Sequence, residues 1–151
     1  MIAALVLEAP AAIRPEGSEP ISGLPEEIAR RLYAHPERVP SAPAVEPALA
    51  ARRLALVRRL RGPGRDAGLE EGLRGLGMPA LVLFGTQDGV IPPEMGRVYK
   101  ELIPNAHLMF VYDAGHALMV ERPEAFVEAV ADFLERTDAF VISRTKTVVF
   151  P

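Results

Sequence analysis

An α/β fold built on a parallel sheet is the class this sequence predicts, and three observations predict it. The apolar run at 2–8 is continuous rather than alternating, as a strand covered on both faces is, and 80–84 and 107–111 read as further apolar strands. Between the later runs lie helical patterns, with apolar residues three and four positions apart. Finally, the second and third runs each end in a sharp corner, Gly85-Thr86-Gln87-Asp88 and Tyr112-Asp113-Ala114-Gly115-His116, so that a titratable side chain stands just past each strand. Parallel sheets gather their chemistry at that end.

Taken in order, Ile2 to Glu8 reads as the first strand, stopped by Pro10 and Pro15. From Pro20 to about Gly77 proline, glycine and arginine are frequent and three helices are expected. Leu24, Ile28 and Leu32 share a face of the first, with Pro25, Glu26 and Glu27 suited to its opening turn. The second is arginine-rich, and Leu49, Leu56, Val57 and Leu60 are expected to form its dry face. Asp66 opens the third, which carries Leu69, Leu73 and Leu76. Pro36, Pro40, Pro43 and Pro47 keep the connections extended. Beyond Pro79 the pattern becomes regular: strand (80–84), helix (about 93–102), strand (107–111), helix (about 123–135). That alternation predicts a right-handed βαβ unit. Phe126, Val127, Val130, Phe133 and Leu134 are expected to pack the last helix on the sheet. The tail, 139–151, is rich in β-branched residues and is expected to lie extended along a sheet edge or a partner.

Composition narrows the classes. With 151 residues, 49% apolar and 25% charged, the chain suits a single globular domain with a real core. It contains no cysteine, which removes disulfides and thiolate metal ligands and suits a reducing compartment, so a cytoplasmic location is expected. Its three histidines, His35, His107 and His116, have no ligand spacing, and neither a metal nor a cofactor is expected. The apolar opening lacks a basic flank and is cut by Glu8, unlike an export signal, and no run approaches a membrane span. Residues 47–65 hold Arg52, Arg53, Arg58, Arg59, Arg61 and Arg65 without an acid. No aromatic residue interleaves to stack on bases, so these arginines read as the wet face of a helix rather than a nucleic-acid surface.

Asp88 and His116 carry the candidate chemistry. Each alone has a plain reading, Asp88 as a turn or capping acid and His116 as a loop residue. Together, at the ends of neighbouring strands and in the order acid then histidine, they suit a triad in which the acid orients the imidazole and the imidazole takes a nucleophile's proton. Pro92 and Pro93 stiffen the acid's loop, and Gly115 permits the turn before the histidine. Asp113 competes as the acid, but its corner position suits a turn former. His35 and His107 have no partner pattern. The expected nucleophile is absent: none of Ser18, Ser22, Ser41 and Ser143 lies in a Gly-x-Ser-x-Gly elbow.

The stretches Pro79-Ala-Leu-Val-Leu-Phe-Gly-Thr-Gln-Asp-Gly-Val-Ile-Pro92, Ile103-Pro-Asn-Ala-His107 and Tyr112-Asp-Ala-Gly-His-Ala-Leu-Met-Val-Glu-Arg-Pro-Glu124 resemble the C-terminal part of the α/β-hydrolase fold family. The resemblance implies a partial α/β-hydrolase fold of about three parallel strands with flanking helices. By it, residues 1–19 and 78–138 correspond to the core, 20–77 to a helical cap, Asp88 to the triad acid and His116 to the triad histidine. It further implies hydrolysis of an ester or related carbonyl bond in a small substrate, with the elbow and oxyanion donors lying before the point that matches Met1. Alone, the chain is then expected to be inactive. A strand edge left open by such a half fold invites pairing, and each large aliphatic left wet forfeits roughly 1.5–3 kcal/mol. Self-association through that edge or the tail, or a complementing N-terminal half, is therefore expected, with neither nucleic acid nor membrane as partner. Two rivals follow from the same residues: a noncatalytic dimeric binding or scaffold domain, and direct activation of water by His116.

Overall fold

The structure, a computed structural model, describes residues 2–40 and 45–137. The sheet has three strands, β1 (Leu5–Glu8), β2 (Ala80–Gly85) and β3 (Ala106–Val111), in the order β1-β2-β3 and parallel throughout. Leu5 lies opposite Ala80, and Ala80 in turn opposite Ala106. The central strand is buried along its whole length, as its unalternating apolar run requires.

Period two divides β2 between two cores. Ala80, Val82 and Phe84 face helix α4 (Met95–Leu102), where they join Tyr99, Leu102 and Ile103. Leu81 and Leu83 face the opposite way and join Leu118, Ala125, Ala129 and Phe133. The latter residues come from the short helix α5 (Leu118–Glu121) and from α6 (Pro123–Arg136). Helices on both faces of a parallel sheet are the expected architecture, and β2-α4-β3 is the expected βαβ unit.

Between β1 and β2 run α1 (Pro25–Leu32), a 3-10 turn at Pro36–Arg38, α2 (Pro47–Leu60) and α3 (Ala67–Arg74). Each helix starts on a carboxylate. Glu27 accepts the Leu24 N–H at 2.9 Å, Glu46 accepts those of Ala48 and Leu49, and Asp66 accepts that of Leu69. Leu73 and Leu76 pack against the α4 side of the core.

Four expectations need correction. The first strand begins at Leu5, not Ile2, and is half-buried rather than covered, because it has a neighbour on one side only among the described residues. Leu24 is exposed, leaving Ile28 and Leu32 as the inner residues of α1. The dry face expected for α2 is wet: Leu49, Leu56, Val57 and Leu60 are all exposed, Leu60 to 71%. A helical stripe of leucines guarantees burial only where another element meets it. On α6, Val127 and Leu134 are exposed while Ala125, Ala129 and Phe133 are buried, since the face that joins the Leu81 and Leu83 cluster carries the latter three. The tail expected at 139–151 falls outside the described residues.

Candidate active site

Both candidate side chains sit at the carboxyl end of the sheet, where the strands release the chain into loops. After β2, the Asp88 carboxylate folds back on its own loop, and Oδ1 accepts the N–H groups of Val90 at 2.8 Å and Ile91 at 2.9 Å. These bonds make Asp88 the loop-capping acid of its plain reading, yet they use only one oxygen. Oδ2 lies 2.9 Å from Nδ1 of His116, with the acid side chain fully buried and the histidine 24% exposed. A carboxylate only accepts, so Nδ1 carries the proton and Nε2 is left as the basic nitrogen. The arrangement can orient an imidazole, take up a proton at Nε2 and stabilise the imidazolium that results.

The two corners interlock by backbone. A Cβ on Gly85 would stand 2.1 Å from the Gly115 carbonyl oxygen and 2.2 Å from that of Ala114, so the close approach of the acid and histidine loops demands glycine there. Gln87 N–H donates to Ala114 O at 2.9 Å, and Asp113 N–H donates to Thr86 Oγ1 at 3.0 Å. Asp113 has φ 54°, as a turn former does.

His35 has a partner that sequence reading does not supply. Its Nε2 lies 2.8 Å from Asp113 Oδ1, which also receives the Gln87 amide at 2.8 Å. The hydrogen bond from His35, followed by its charge and the Gln87 amide, holds the Asp113 carboxyl below the usual carboxylate range. Asp113 therefore faces away from the role of competing acid for His116 and joins the 20–77 segment to the histidine corner. His107 packs its ring near Phe133, 6.4 Å between centroids, and burial lowers its pKa.

Further hydrogen bonds tie that segment to both loops. Leu32 O accepts the N–H of His116 at 2.7 Å and of Ala117 at 3.3 Å, and Arg31 Nε donates to Gly89 O at 2.9 Å. Glu121 accepts the Gly115 N–H at 2.7 Å and the His35 N–H at 3.0 Å. In the sequence these partners are up to 86 residues apart, and backbone groups leave no sequence signal.

Three of the six arginines of 47–65 have partners within the chain, Arg58 pairing with Glu19 at 3.7 Å. Arg61 donates to Ser18, and Arg65 pairs with Glu70. Buried Arg14 reaches the end of α2, donating to the carbonyls of Arg61 at 3.1 Å and Gly62 at 2.6 Å. A cleft of about 460 Å³ beside them is bordered by neither Asp88 nor His116. Among the described residues no group of three histidine, cysteine or acidic side chains is placed to hold a metal, and no helix is long and apolar enough to cross a membrane.

The sequence profile of the Alpha/beta hydrolase family matches residues 1–129, and the chain belongs to that family. It is 36% identical over 72 residues to the uncharacterized hydrolase YugF of Bacillus subtilis, a match taking in 47% of this chain and 26% of that protein. Among solved structures, the meta-cleavage product hydrolase CumD of Pseudomonas fluorescens IP01 superposes with a TM-score of 0.64 at 18% identity, over 87% of this chain and 55% of CumD. Esterase RhEst1 of Rhodococcus sp. ECU1013 superposes at 0.55 with 27% identity, over 89% of this chain and 56% of the esterase. The chain thus spans about half the length of these solved relatives, and its fold is a part of theirs.

Proposed function

We propose that this chain supplies the acid–base pair of an α/β hydrolase acting on an ester or related carbonyl bond, with Asp88 as the orienting acid and His116 as the general base. The observation that carries the reading is the 2.9 Å bond between Asp88 Oδ2 and His116 Nδ1, with Oδ1 held by two backbone N–H groups. An acid fixed at both oxygens cannot swing away, so it selects one tautomer of the imidazole. No Gly-x-Ser-x-Gly occurs among the 151 residues. The attacking hydroxyl and oxyanion donors are therefore proposed to come from a serine-bearing segment outside them, and the 151 residues alone to be inactive. Residues 20–77 serve as the cap over a small apolar substrate, consistent with the exposed Leu49, Leu56 and Leu60 of α2. The lack of cysteine suits the cytoplasm.

The test is hydrolysis of short-chain p-nitrophenyl esters by the 151 residues alone and together with a segment carrying the elbow. Inactivity alone, with turnover on complementation that His116→Ala abolishes, is expected. Turnover by the complemented protein that survives His116→Ala overturns the assignment, and turnover by the 151 residues alone that His116→Ala removes points instead to direct activation of water.

A second reading rests on β1, whose outer edge has no neighbour among the described residues. A noncatalytic dimer in which this edge meets its symmetry mate covers the same surface. Complementation that yields no turnover, from a protein that is a stable dimer, supports it.

A further inference from the structure

We infer that Glu121 is a positioning residue for His116, clamping the histidine loop to the 20–77 segment so that the base is oriented from both sides. The inference rests on Asp88 and His116 being the acid–base pair, and adds what holds the imidazole toward the acid.

Asp88 fixes the ring only once the ring is within reach, and the reach is set by the backbone at Gly115 and His116. Two acceptors, taking three N–H groups, define that backbone. Glu121 Oε2 takes the Gly115 N–H at 2.7 Å, and Leu32 O takes those of His116 at 2.7 Å and Ala117 at 3.3 Å. Glu121 Oε1 meanwhile takes the His35 N–H at 3.0 Å, three residues beyond Leu32. One carboxylate thus bridges the residue before the base to the strand of chain whose carbonyl receives the base. Helix α5 makes the bridge possible, since its single turn brings Glu121 back over Gly115. Charge-assisted bonds to backbone N–H groups are the strong kind, and here both oxygens are used.

The fit is close enough to exclude a side chain at the junction. A Cβ on Gly115 would lie 2.6 Å from Leu32 O, 2.7 Å from Ala34 N and 2.8 Å from Glu121 Oε2. The acid loop is gripped by the same segment, through Arg31 Nε to Gly89 O at 2.9 Å, and a Cβ on Gly89 would meet Arg31 O at 2.9 Å. Residues 31–35 therefore hold both members of the pair at once. A lid swinging freely at this end would have to break these bonds and release His116.

The test is nuclear magnetic resonance of the full chain, reading the hydrogen-bonded Nδ1 proton of His116 and amide exchange. In the unaltered chain the Nδ1 proton is expected as a downfield signal that Asp88→Asn removes; its absence overturns the acid–base pair and the clamp together. Glu121→Ala is expected to speed exchange of the Nδ1 proton and of the Gly115 and His35 amides by about tenfold or more, the effect of losing a charged acceptor, while amides of β2 are unchanged. Glu121→Gln, which retains one acceptor oxygen and is the milder change if the alanine variant unfolds, is expected to restore part of the protection. A Nδ1 signal and Gly115 exchange that neither variant alters overturn the clamp alone.

Discussion

Asp88 is asked to do two things with one carboxylate, and the two are separable by substitution. Asp88→Asn keeps one oxygen for Val90 and Ile91 but presents to His116 either an amide N–H or an oxygen already engaged, so the favoured tautomer is lost. In a complemented, active protein this change is expected to lower turnover by about 10⁴-fold with little change in stability. Asp88→Ala additionally strands the buried Ile91 N–H and is expected to cost about 1–3 kcal/mol in urea unfolding. A fall in stability as large for asparagine as for alanine would mean that capping, not orientation, is what the residue chiefly provides.

Asp113 makes a pH prediction with a definite sign. Its carboxyl is held below the ordinary range by the hydrogen bond from His35, so the folded state binds that proton less readily than the unfolded state. Its contribution to stability is therefore fully present above the unfolded value and is lost as pH falls through the depressed one, below about pH 4. Asp113→Asn is expected to flatten the acid limb of the melting temperature against pH, with melting near neutrality lowered slightly. An unchanged acid limb would place the acid sensitivity elsewhere.

At the scale of elements, α4 is fastened to the start of the long connection by a single phenol. Tyr99 is 2% exposed; its hydroxyl accepts the buried Ile13 N–H at 2.8 Å and donates to Pro10 O at 3.2 Å. Burial raises its pKa, so it remains a neutral donor through ordinary pH. Tyr99→Phe preserves the ring and strands the Ile13 N–H, with an expected loss of about 1–3 kcal/mol by urea denaturation. Helix α6 allows a contrast between its faces: Phe133→Ala is expected to cost about 3–5 kcal/mol, whereas Val127→Ala, at an exposed site, should stay within about 0.5 kcal/mol. Equal costs would place Val127 in an interface.

At the scale of the whole molecule, the edge of β1, which has no neighbour among the described residues, and the wet leucines of α2 are surfaces that α/β folds ordinarily cover. Light scattering at micromolar concentration is expected to show association of the 151 residues, relieved when a complementing segment is supplied. A monodisperse monomer without that segment would remove the need for any cover.

Most of the scaffold behind the site was legible in residue pattern alone. The run 80–84, bounded by proline and glycine, is the strand buried on both faces that an unalternating apolar segment suggests, whereas the similar run at 2–8 is only half-buried for want of a second neighbour among the described residues. The corners after β2 and β3 announce their own position, since Asp88 and His116 follow directly on strands whose parallel pairing brings them to one end. The resemblance agreed with that pairing of acid and histidine and added the family to which it corresponds. What sequence could not supply was the surroundings of that pair, because they are made of backbone groups and of residues far off in the chain.

Local pattern determined the strands, the capped helix starts and the order of acid and histidine, for these depend on side-chain periodicity and on bonds that span a few residues. Tertiary structure alone decided that the leucines of α2 remain wet, that Asp113 turns to His35 rather than His116, and that Leu32 and Glu121 accept the N–H groups of His116 and Gly115. The physical reason is that burial and hydrogen-bond partnership belong to pairs of surfaces, and one face, however clearly written, does not name the surface that will meet it.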